Sequence, residues 1–228
     1  MALCRPAPGR TAGRGDPAGR DDGSFRRGLT FCHTSAVADS EWTIERAQDF
    51  DSLRGRRIES WAGVEMAVRE HGPDGGPQFT DPAVPCLQLW GMQAYLDDGR
   101  ALMVGTYQDD DGFGLWPHRR PDPRLEDRQR WDGIYRWSAL GELPTGPVED
   151  VVVFAEEDVL AEVDLRVGGQ PLHLVAGELE ECGPRLSFVR LDESVLVFTD
   201  PAAAERVNWS TPRRPRVRID PWPRTSFR

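Results

Sequence analysis

Side chains along most of this chain alternate with a period of two, and glycine and proline turns break the alternation at short intervals. In "LAEVDLRV", Ala161, Val163, Leu165 and Val167 fall on one side and Glu162, Asp164 and Arg166 on the other. That is the pattern of a half-buried strand, because successive side chains of an extended chain point to opposite faces. "VEMAVRE" sets Val64, Met66 and Val68 against Glu65, Ala67 and Arg69. Further strands are expected at 86–96, 101–108, 113–116, 134–140, 150–157, 171–180, 185–191 and 194–199. The breaks between them, "DDGR", "DDDG", "GELPTGP", "VGGQP" and "ECGP", carry turn residues. Only "DPAAAERV" reads as a helix, with Asp200 as N-cap and Pro201 at the first helical position. The connection 117–133 has room for one more short helix.

The expected fold is mainly β, with α+β as the alternative: two consecutive antiparallel meanders forming a sandwich or open barrel, with one or two short helices. Residues 1–40, rich in Gly, Pro, Ala and Arg without periodicity, are expected to be a disordered arm. Residues 41–205 form the β-rich domain, and 206–228 a basic Pro/Arg-rich tail. The series strand, glycine turn, strand, turn, strand occurs at 95–115 and again at 165–188. It suggests a two-fold internal repeat, 41–140 and 148–205.

Two aspartate clumps, Asp97-Asp98 and Asp109-Asp110-Asp111, invite a metal-site reading. The strand expected between them has eight residues and spans about 26 Å. The clumps therefore lie at opposite ends of one strand and cannot share an ion. Asp98-Gly99 and Asp111-Gly112 read as hairpin turns instead. No metal site and no cofactor are expected.

The charge layout is uneven. Residues 41–205 carry 15 arginines against 33 acidic residues, a net −18, whereas 206–228 carry seven arginines and one aspartate, a net +6. All 28 basic residues are arginine. With asparagine only at Asn208 and four isoleucines, this is the composition of a GC-rich coding sequence, such as that of a high-GC bacterium. The absence of lysine excludes Schiff-base, phosphate-loop and lysine-base chemistry. Cys4, Cys32, Cys86 and Cys182 show no ligand spacing and are expected to be free thiols in a cytoplasmic protein. No stretch approaches the roughly 18 apolar residues of a membrane span, and the N-terminus has no continuous signal-peptide core.

The four histidines, His33, His71, His118 and His173, are scattered. If Leu172 and Leu174 face the core, His173 faces the other way with Val175, as a surface or interface histidine; a base paired with Glu178 or Cys182 is the sharper alternative. No serine stands in a G-x-S-x-G elbow, and no catalytic residue is assigned. Trp116, Trp131 and Trp137 bracket an arginine-rich connection that includes Arg119 and Arg120. Together with His173 these are the candidate binding residues, since arginine and exposed aromatic rings bind acidic partners or nucleic acid.

Three functions are carried forward. The first is a non-catalytic acidic protein-binding module, such as an inhibitor or immunity-type protein that masks a basic protein partner. The second is a small-ligand-binding or structural β domain. The third is an enzyme with a site of scattered carboxylates and His118 or His173. The tail is expected to be a flexible segment drawn to the acidic body; nucleic acid is expected to bind, if at all, through the Arg213–Arg218 arm.

Overall fold

The structure is a computed structural model that describes residues 41–109, 112–119, 131–156, 159–183, 185–210 and 215–222. The arm 1–40 and Arg120 lie outside the described residues, as do Asp110 and Asp111.

The elements run α1 (Glu41–Asp51), β1 (Arg57–Met66), β2 (Leu87–Leu96), β3 (Ala101–Asp109), β4 (Gly112–His118), β5 (Tyr135–Ala139), β6 (Gly146–Glu156), β7 (Val159–Val167), β8 (Gln170–Cys182), β9 (Arg185–Phe198), α2 (Pro201–Arg206) and β10 (Val217–Ile219). The fold is mainly antiparallel β, as the alternation requires. Two meanders, β2–β3–β4 and β6–β7–β8–β9, join edge to edge through β2 and β9. β1 pairs with β2 and touches β6 at Arg57 and Ile58 only, so the sheet curls into a partly closed ring. β5 pairs with β1, and β10 adds to β6.

The inward side chains follow the pattern. Val163, Leu165 and Val167 meet Leu172, Leu174, Val195 and Val197 in the main core. Gly168 and Gly169, both at positive φ, turn β7 into β8, where Val167 pairs with Gln170. A two-residue hairpin of this hand needs positive φ at both central positions. A Cβ on Gly168 would lie 2.3 Å from the Thr145 carbonyl oxygen, so close packing excludes a side chain there as well.

Three details differ from the sequence reading. The first strand begins earlier than "VEMAVRE", at Arg57, and ends at Met66. The runs 185–191 and 194–199 are one strand, β9, kinked where Leu191 takes φ +54. The kink is held by Ser194 Oγ donating to the Gly177 carbonyl at 2.5 Å and Thr106 Oγ1 donating to the Glu193 carbonyl at 2.5 Å. Finally, "EWTIERAQDFD" is a helix. Its stripe Thr43, Ala47, Phe50 follows the helical spacing and is buried.

α1 is tied to β6 by Arg54, which pairs with Asp51 at 3.1 Å and Asp150 at 2.7 Å and donates to the Val151 carbonyl at 2.7 Å. That guanidinium holds the Asp150 carboxyl below the usual carboxylate range. α2 starts as expected, with the Asp200 side chain accepting from the Ala202 amide at 3.0 Å.

Candidate functional site

The outer face of β7, β8 and β9 should be solvated by the alternation rule, yet its central part is buried. α2 and the segment after it cover Val175, Phe188, Leu196 and Phe198 as a second apolar cluster. Trp209 secures the cover, donating from Nε1 to the Ala204 carbonyl at 2.9 Å and meeting Phe188 edge-on. Glu162, His173 and Arg190 of the same face are buried with them, while Asp164 stays partly exposed.

At the centre stands Glu162, 0% exposed. Arg190, from β9, places Nη1 2.7 Å from Glu162 Oε1 and Nη2 2.5 Å from Glu156 Oε2. Arg216, from the basic tail, hydrogen-bonds Glu162 Oε2 and lies 3.8 Å from Glu205. Its guanidinium stacks over the Phe154 ring at 4.5 Å, as Arg190 does over Trp209 at 5.2 Å. His173, 2% exposed, has Nδ1 2.5 Å from Asp164 Oδ1 and Nε2 3.7 Å from Glu162 Oε2. Carboxylates this deep are tolerated only beside cations that also satisfy their lone pairs.

The tail enters this site as a strand. Val217, Arg218 and Ile219 pair antiparallel with Ala155, Phe154 and Val153 of β6. Ile219 joins the main core. Beyond it, Gln48 Nε2 donates to the Pro221 carbonyl at 3.0 Å, and Trp222 Nε1 donates to Asp51 Oδ2 at 3.0 Å. A cavity of about 370 Å³ remains beside the strand, lined by Asp51, Arg54, Val152, Arg218, Asp220 and Pro221 among others.

The candidate binding residues are split. Trp131 packs on Trp90 at 4.9 Å and Tyr135 at 6.0 Å, over Val64 and Met103. Strand register sets Trp137 beside Val64, and Trp116 beside Gly105. Trp116 is 38% exposed and meets His118 edge-on. Arg119 turns to α1 and pairs with Asp49 at 2.6 Å. His173 belongs to the buried ion network instead. It does face away from Leu172 and Leu174, with Val175, but that side is not a surface. Its partners are Asp164 and Glu162, not Glu178 or Cys182. The residues the sequence did not single out are Glu156, Glu162, Arg190 and Arg216.

The hairpin reading of Asp98-Gly99 matches the geometry. Gly99 has φ +76, and Asp98 is engaged by Arg100 and Arg56. Arg100 holds its carboxyl below the usual range. Among the described residues no group of histidine, cysteine or carboxylate side chains could hold a metal ion. Cys86 is a free thiol that burial pushes up to about 12, whereas Cys182 is disulfide-bonded, contrary to the expectation of free thiols. No helix among the described residues is long and apolar enough to cross a membrane.

The Glu178 carboxyl is held well above the usual carboxylate range. Partial burial, with Asp192, Glu193 and Glu180 nearby, raises it to about 7. Its folded value lies above its unfolded one, so its contribution to stability is complete below about pH 4.5 and is lost as pH rises through 7. Full burial would make this about 3 kcal/mol. Glu178 is half-buried, and solvent screening reduces the figure to about 1 kcal/mol. Glu178→Gln is expected to raise stability by that amount at pH 8 and to flatten its fall between pH 5 and 7, read by urea titration across pH. An unchanged pH slope would contradict the assignment.

Comparison with protein-family models, with curated proteins and with solved structures returns no match for this chain.

Proposed function

We propose that the protein is a non-catalytic acidic module that binds a basic protein partner, as an inhibitor or immunity-type protein does. One observation carries the reading: the acidic body already takes up a basic, extended segment, its own tail, by backbone pairing and ion pairing at Glu162. The charge layout of the sequence, −18 in the body against +6 after it, favours the same chemistry in trans. A cytoplasmic setting is part of the proposal.

The test is capture from a lysate of the source organism on immobilised full-length protein, at low and high salt, with nuclease treatment throughout. Exposed charges are screened over about 8 Å at physiological ionic strength, so capture should weaken steeply with salt. Basic proteins should dominate the low-salt fraction, and the purified candidate should rebind with a salt-dependent association rate. Absence of basic proteins at low salt sinks the reading. Capture abolished by nuclease would assign the basic tail to nucleic acid instead.

A further inference from the structure

We propose that the edge of β6, with Phe154 and Glu162 behind it, is a binding site for an extended arginine-bearing segment of the partner protein, and that residues 215–222 occupy it as a resident stand-in. The proposal rests on the acidic-module reading and deepens it by naming the site and the chemistry of the segment.

The edge comes from the topology. β1 takes up β6 only at Gly146 and Pro147 and then diverges towards β5. The far half of β6, Val153 to Ala155, would present unpaired backbone groups if β10 were not there. An open edge of this kind is a template for strand addition, in which backbone pairing supplies affinity and the side chains supply selectivity.

Selectivity for arginine follows from the slot. Arg190 is fixed in β9 and holds Glu162 from one side; the other oxygen takes Arg216, which arrives on the tail. With the tail in place Glu162 is 0% exposed and takes a guanidinium on each oxygen, so release of the tail removes one of its two partners and opens that position to another cation. The slot lies between a ring and a carboxylate, which suits a planar, forked guanidinium better than an ammonium.

Beyond Arg216, the described part of the tail is held at its outer end by a short set of contacts. β10 has three residues, and its outer end is fixed by Ile219, the Gln48 contact and Trp222, itself 65% exposed. A cavity of about 370 Å³ lies beside it, between the tail, β6 and Arg54. A longer segment with an aliphatic residue at the Ile219 position would bury more surface and displace it.

The probe is a fluorescein-labelled peptide with the sequence of residues 215–222, PRVRIDPW, and a control peptide carrying Arg216→Ala. Fluorescence anisotropy is read on the full chain and on a full-chain variant loosened by Arg216→Ala and Ile219→Ser. Because the tail competes in cis, the loosened variant should bind the peptide roughly tenfold or more tightly than the unaltered chain. The control peptide should bind roughly tenfold or more weakly than its parent. If the loosened variant does not fold, hydrogen exchange on the unaltered chain decides: saturating peptide should speed exchange of the 217–219 amides, and no change overturns the proposal. Dimers that form with concentration and vanish with Arg216→Ala would assign the edge to a second copy of the chain and overturn the partner assignment. The two readings fail separately. Refusal of the peptide, with basic proteins still captured, sinks the slot and leaves the acidic module. Peptide binding without capture of any basic protein sinks the partner and leaves the tail as a structural strap.

Discussion

Replacing Glu162 with alanine will destabilise the protein by about 3–5 kcal/mol, the cost of removing one partner from a buried ion network. Glu162 has no exposed surface and stands between two guanidiniums, those of Arg190 and Arg216. Without it, Arg190 keeps Glu156 at 2.5 Å and Arg216 keeps Glu205 at 3.8 Å among the described residues. Arg190→Ala should cost a similar amount, because it takes the cation from buried Glu156 and leaves Glu162 with Arg216 on one oxygen. The double variant should cost clearly less than the sum, since each single change leaves a charge that the other removes. Asp98→Ala, which breaks exposed pairs with Arg56 and Arg100, should leave stability nearly unchanged. Urea unfolding of the four proteins reads all of this. A loss below about 1 kcal/mol for Glu162→Ala would mean that water reaches the network.

The contrast between Glu162 and its neighbours shows how far alternation can be read. Val163, Leu165 and Val167 were legible as inward residues because a sheet that is wet on one face needs an apolar stripe on the other, and they lie in the core. The hairpin turns were legible because positive φ selects glycine, as at Gly99, Gly168 and Gly169. Glu162, Asp164 and His173 were not legible as a site, because the rule that marks them as outward says nothing about what covers the outward face. That cover comes from α2, Trp209 and the tail, elements distant in sequence from β7. Arg216 was visible as one of several tail arginines, but its pairing with Glu162 spans 54 positions and leaves no local pattern. The aromatic candidates were half legible. Trp131 and Trp137 lie on or beside the patch around Val64, while the connection that should join them to Arg120 falls outside the described residues.

Phe50→Ala is expected to cost about 3–5 kcal/mol, the range for deleting a buried aromatic side chain. α1 escaped the sequence reading because its buried stripe begins with Thr43 and Ala47, which carry little hydrophobic signal, while Trp42 is 39% exposed. Phe50 is the one large side chain of that stripe, fully buried in the main core beside Ala47 and Leu53. Its loss opens a cavity under the helix. It also loosens the two α1 residues that hold the end of the tail, Gln48 and Asp51. For a chain of this size the melting temperature should fall by roughly 10 °C. Glu45→Ala, on the exposed side of the same helix, should change stability by no more than about 0.5 kcal/mol. Calorimetry on the two variants separates a docked helix from a loose one. If Phe50→Ala melts with the unaltered protein, α1 is not part of the core, and the groove between it and β10 loses one of its walls.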